Sequence, residues 1–146
     1  MEDSGLTEKE LRVNMRILGF QRKWDKLNRT YPYVAYELAL SDEEASSAVF
    51  FTTFRYPRLD KDWQVGELVQ VVIKPRSKER KFVYYAEIIK IEPIAMSDII
   101  AQMAWADGFS SLGAMMDWLA NTYGNDYRWL WRKPMNRIFL RQRKRL

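Results

Sequence analysis

The chain has 146 residues, with 47% hydrophobic and 14% aromatic content, enough apolar surface to build one core rather than a disordered coil. It contains no cysteine and no histidine, which excludes disulfides, Cys/His zinc sites, thiol nucleophiles and any mechanism with a histidine base. The formal net charge of +5 and pI near 9.5 point to a polyanionic partner such as nucleic acid.

Residues 1–30 read as a helical extension. Thr7 and Glu10 have the spacing of a capping box, Leu11, Met15 and Leu18 follow at helical spacing, and Gly19 ends or bends that helix. The opening "MEDSGLTEKE" is acidic and polar, and no apolar run approaches a membrane span. Neither a signal peptide nor a membrane anchor is expected, and the lack of cysteine fits a cytoplasmic setting. "FQRKWDKLNRT" reads as a second helix, with Trp24 and Leu27 on one side and a solvated basic face on the other.

"YPYVAYELAL" reads as a strand, and "SDEEASS" as a capped helical turn or a loop. "AVFFTTFRY" has the β-branched and aromatic content of a strand, interrupted by Pro57. "VGELVQVVIK" and "FVYYAEIIKIEP" are two further strands, the second closed by Pro93; the short basic link "PRSKERK" predicts an antiparallel hairpin. From Met96 the pattern turns helical, first in "SDIIAQMAWA" and then in "SSLGAMMDWLANTYG". The second has Ser110 or Ser111 as its cap and Gly124 as its stop. "PMNRIFLRQ" reads as a last strand and 141–146 as a basic tail. Strands followed by helices and a returning strand predict an α+β domain, a mixed sheet or small barrel with helices at its edge.

The order "TTFRYPR", "DWQVGELVQVV", "AEIIKI", "ADGFSSLGAMMDWLANTYG" and "MNRIFL", over roughly 34–140, resembles the ASCH domain, a branch of the PUA-like superfamily. The resemblance implies a small β-barrel of mixed and antiparallel strands flanked by α-helices, occupying residues 31–140. It also implies a cleft between barrel and helices that handles RNA, DNA or modified bases. Some members of that family deacylate acylated cytidine with a lysine three residues before a threonine and a later strand glutamate. Carried over, the threonine falls on Thr53 and the glutamate on Glu87. The lysine falls on Phe50, or on Val49 if Thr52 is the match. Neither side chain activates a hydroxyl, so no catalytic residue is assigned; Thr53 and Glu87 stand as weak catalytic candidates only.

The residues themselves offer further readings. Alternation puts Thr53 and Arg55 on one strand face, where a hydroxyl beside a guanidinium binds phosphate or a base edge; the bland alternative is an arginine paired with a buried carboxylate such as Glu87. Glu87 in an apolar strand is costly to bury unpaired, so it serves base recognition or a structural pair. Arg58 and the basic loop residues Lys74, Arg76, Lys78, Arg80 and Lys81 suit backbone phosphates, or merely blunt a sheet edge. The tail residues Arg141, Arg143, Lys144 and Arg145 add to that charge. Trp105, Trp118, Trp129 and Trp131 are core or stacking residues, Trp63 is ambiguous, and "ADGF" reads as a turn with Phe109 as anchor and Asp107 as a cap rather than a metal ligand.

The sequence therefore predicts a non-catalytic module that binds RNA or single-stranded nucleic acid through a cleft and a basic hairpin, without cofactor or metal. The alternatives are a small amidohydrolase acting on an acylated or modified cytidine, and a protein-interaction module docking through its N-terminal helices or its Met-rich helix.

Overall fold

The computed structural model describes residues 7, 9, 14–124 and 132–144. Among these residues four helices and a five-stranded mixed sheet form one α+β unit. The strands are β1 (Arg16–Phe20), β2 (Phe50–Arg55), β3 (Leu68–Ile73), β4 (Lys81–Ala95) and β5 (Pro134–Arg143), in the order β1-β3-β4-β5-β2. The helices are α1 (Pro32–Glu37), α2 (Asp42–Ser47), α3 (Ala101–Ala106) and α4 (Leu112–Tyr123), with short 3-10 turns at Asp25–Leu27 and Met96–Asp98.

The expected hairpin forms: β3 and β4 pair antiparallel, with a register shift between Val71 and Val72. β4 is the spine of the sheet. Its first half pairs with β3 and its second with β5, and a second register shift falls between Ile88 and Lys90. Pro93 does not close the strand. It lies beyond the last β3 partner of β4, which is Glu87 opposite Leu68, where one flank is unpaired and a missing N–H costs no ladder bond. β5 then pairs antiparallel with β2, and β1 pairs parallel with β3.

Further expectations need correction. "FQRKWDKLNRT" is not a second helix: Phe20 ends β1 and only Asp25–Leu27 forms a 3-10 turn. Leu18 is not on a helix: Arg16–Phe20 is a strand whose Leu18 and Phe20 alternate into the core, so part of the expected N-terminal extension belongs to the sheet. Glu10 and Leu11 lie outside the described residues. "YPYVAYELAL" is not a strand but carries α1, with Pro32 in the first turn, where its missing N–H is harmless, and Val34 wholly buried. Its Tyr and Val residues favoured a strand, but the buried face of α1 overrode that preference. The expected basic tail also begins inside β5, which runs to Arg143. "SDEEASS" is α2, closed by a reciprocal capping box between Ser41 and Glu44, and Ser111 caps α4.

The main core cluster lies between the sheet and helix α4. Phe51, Val69, Ile88 and Ile138 come from the strands, Met115 and Leu119 from the helix. The Met-rich helix thus turns its apolar face to this protein's own sheet. Burying one such side chain stabilises by about 1.5–3 kcal/mol.

The sheet is open, with β1 and β2 as its edges. Side chains, not a backbone ladder, bridge them. Arg55 Nη2 donates to the Gly19 carbonyl at 2.7 Å, and Phe20 packs edge-on against Phe51 with ring centres 6.2 Å apart. The two edges converge without zipping, and that leaves a gap in the wall. Among the described residues no helix is long and apolar enough to cross a membrane.

Candidate functional site

The gap between β1 and β2 opens into a cavity of about 210 Å³, about seven times a water's share of liquid volume. Gly19, Phe20 and Gln21 line it from the β1 side, and Thr53, Phe54 and Arg55 from β2. Trp24, Lys26, Asp107 and Phe109 close its flank, and Met115, Trp118, Leu119, Thr122 and Tyr123 of α4 roof it. Trp24 is packed edge-on against Phe109 and Trp118, with centroids 5.0 and 6.3 Å apart, so the apolar wall is aromatic. Gly108, at φ 104°, permits this packing: a Cβ there would stand 2.8 Å from Trp24 Cε3.

The charged part of the cavity comes from three distant segments. Lys26, in the 3-10 turn after β1, is buried. Its Nζ donates to the Thr52 carbonyl at 2.6 Å and lies 3.0 Å from Asp107 Oδ1. Thr52 Oγ1 donates to the same Asp107 oxygen at 3.0 Å. Burial pushes the Lys26 ammonium below its ordinary value, and the Asp107 charge partly restores it. Burial likewise pushes the Asp107 carboxyl up, against the pull of Lys26 and the Thr52 hydroxyl. Arg55 donates from Nε to Thr53 Oγ1 at 3.1 Å and stands 5.0 Å from the centre of the Phe20 ring.

Sequence reasoning brought Thr53 and Arg55 to one face, and both line the cavity. Glu87 does not join them. It pairs with Arg143, Nη1 to Oε1 at 2.8 Å, and stands away from the cavity lining. The structural pair considered for Glu87 exists, with Arg143 in place of Arg55, because β4 and β5 run alongside each other there. Arg58 also stays outside, paired at the surface with Asp60. In the basic hairpin, Lys74 pairs with Glu79 at 2.5 Å and Arg80 donates to the Pro75 carbonyl at 3.3 Å, while Arg76, Lys78 and Lys81 are exposed. Trp63 is core, with the Arg16 guanidinium 4.3 Å above its ring. Trp118 lines the cavity and Trp105 is exposed; Trp129, Trp131 and Arg145 lie outside the described residues.

Lys26 and Asp107 are what sequence reasoning missed. Lys26 had been assigned to a solvated basic face, yet its side chain is 3% exposed. The available signal was Trp24-Asp25-Lys26-Leu27, a lysine between two apolar anchors in a segment too short for a free-standing helix. Asp107 does sit at the C-terminal cap of α3, as "ADGF" suggested, but its carboxylate turns inward to Lys26. Among the described residues no group of three or more acidic side chains is placed to hold a metal ion.

These features define a small α+β protein whose open sheet frames an aromatic-walled, internally charged cavity at the seam of its edge strands. No family model matches the chain, and comparison with curated proteins and with solved structures found no match.

Proposed function

We propose that the protein is a nucleic-acid-binding module, with RNA as its ligand, that admits one unstacked base to the seam cavity and holds the flanking phosphates on the β3–β4 hairpin. One observation carries this reading. The basic hairpin abuts the strand that lines the cavity: Lys74 N–H donates to the Phe20 carbonyl at 2.7 Å, and Pro75 leaves no room for a side chain at Gly19. A ring-sized aromatic cavity and a cluster of cations therefore lie side by side, the arrangement single-stranded nucleic acid requires. Arg22 and Lys23 extend the basic surface from the cavity rim towards Lys74 and Lys81. The ASCH-like order of motifs supports the same reading.

Fluorescence anisotropy with a short labelled RNA tests it. Affinity falls steeply with added salt; Arg76→Ala weakens all sequences alike, and Arg55→Ala also relaxes base preference. No binding to RNA or DNA at low salt overturns the reading.

A second reading, an amidohydrolase acting on an acylated cytidine, has one observation in its favour: Lys26 supplies beside Thr52 and Thr53 the lysine that Phe50 does not. Geometry ranks it lower. The hydroxyl with an acid–base partner, Thr52, is wholly buried and off the cavity lining. The hydroxyl on the lining, Thr53, accepts from a guanidinium and touches no base. Release of acetate from N4-acetylcytidine, abolished by Lys26→Ala or Thr53→Ala, would reverse the ranking.

A further inference from the structure

The buried or half-buried arginines among the described residues are Arg16, Arg55, Arg137 and Arg143. Three of them carry their own carboxylate: Glu67 for Arg16, Glu37 for Arg137 and Glu87 for Arg143. Arg55 is the exception. Its partners are neutral oxygens, the Thr53 hydroxyl and the Gly19 carbonyl, and it forms no ion pair among the described residues. It is half-buried and lines the cavity.

The other two charged groups on the cavity wall cancel. Lys26 and Asp107 face each other at 3.0 Å. Whichever of them holds the proton, the pair contributes no net charge. A guanidinium stays protonated even where burial lowers its pKa, as it does here. The cavity wall therefore carries one net positive charge, since Asp107, which also attracts Arg55, is already matched by Lys26; set among aromatic rings, that charge is costly.

We propose that the ligand brings the missing negative charge: the cavity takes a planar, ring-sized monoanion, a heteroaromatic carboxylate or its equivalent, with the acidic group on Arg55 and the ring against Trp24 and Trp118. This deepens the proposed function by naming the ligand class of the same cavity, and it rests on that cavity being a ligand site rather than on the ligand being RNA. A carboxylate on a guanidinium makes a two-point, charge-assisted contact, which a neutral ring lacks. In a nucleic acid the same charge comes from an acid-bearing modified pyrimidine.

The test uses the unmodified protein and a matched pair of probes, orotate and uracil, which share a ring and differ in one carboxylate. Binding is followed by calorimetry and by quenching of tryptophan fluorescence, with inorganic phosphate as the ringless anion. Orotate is expected to bind about tenfold or more tighter than uracil and tighter than phosphate. Arg55→Gln removes the preference and Arg55→Lys keeps part of it. The comparison of ligands on the unmodified protein stands even if Arg55→Gln loosens the seam. Uracil binding as well as orotate, phosphate binding as well as orotate, or none of the three binding overturns the proposal. RNA anisotropy on the same preparation separates the two readings. RNA binding with no orotate preference removes this inference alone, and orotate binding without RNA binding supports it while removing the nucleic-acid reading.

Discussion

Lys26 Nζ stands 3.0 Å from Asp107 Oδ1, with the two side chains 3% and 7% exposed. The pair ties the turn after β1 to the end of α3, and through Thr52 it ties both to β2. Removing one partner leaves the other buried without compensation. Lys26→Met is expected to cost about 3–5 kcal/mol, whereas Lys26→Met combined with Asp107→Leu recovers much of that loss. Urea denaturation followed by tryptophan fluorescence measures all three variants; strictly additive losses would contradict a coupled pair.

The pH dependence of stability carries the sign of that burial. The Asp107 carboxyl is raised in the folded state by desolvation, while in the unfolded chain it ionises near its ordinary value of about 3.9. Between those two values the folded chain keeps a proton the unfolded chain has lost. Stability from this group is therefore full below the ordinary value and is lost as pH rises through the folded one. Lys26, lowered by burial, acts with the opposite sign below its ordinary value of about 10.4: there the unfolded chain holds the extra proton, and stability rises with pH. Relative to Asp107→Asn, the parent protein is expected to lose stability as pH rises above the ordinary carboxyl value of about 3.9. Thermal melts across that range read the difference, and a gain in place of a loss would show that Lys26 outweighs desolvation.

Arg137 is wholly buried and paired through both terminal nitrogens with Glu37, with Nη2 donating to Oε1 at 2.7 Å. Its Nε has no partner among the described residues, so the pair already leaves one donor unsatisfied. Glu37 lies on α1, and the bond fastens that helix to β5. Glu37→Ala is expected to cost about 3–5 kcal/mol, with Glu37→Gln costing less because an amide oxygen still accepts. Denaturant titration decides it; a loss below about 1 kcal/mol would place the pair with surface ion pairs.

Gly108 combines φ 104° with the Trp24 ring packed over it. Gly108→Ala meets both obstacles: backbone strain of about 1–3 kcal/mol and a Cβ 2.8 Å from a ring carbon. The expected outcome is a lower melting temperature together with a shifted tryptophan emission, since Trp24 must move and it lines the cavity. An unchanged emission spectrum would show that the ring does not move.

The legible parts of this fold are those whose signal is local. β2, β3, β4 and β5 are dense in Val, Ile, Phe and Tyr, and α4 shows Leu112, Met115 and Leu119 at helical spacing behind a serine cap; all five form, although β4 and β5 run past the ends expected of them. β1 and α1 were misread for one reason. Each is a short segment whose identity depends on a partner. Arg16–Phe20 is a strand because Leu68–Ile73 lies beside it, and Pro32–Glu37 is a helix because Val34 and the Arg137–Glu37 pair seat it on the sheet.

The candidate site divides along the same line. Composition and alternation by themselves determined a basic, cysteine-free and histidine-free α+β chain, a hairpin crowded with cations, and a strand face carrying Thr53 and Arg55 together. Only the tertiary structure decided which charges are buried and what they meet. It drew Lys26 inward to Asp107, 81 positions along the chain (107 minus 26); it sent Glu87 to Arg143; and it left Arg55 without a carboxylate at the seam of an open sheet. The physical reason is that periodicity is a property of neighbours in sequence, whereas the cost of burying a charge is set by groups that only folding brings within a few ångströms.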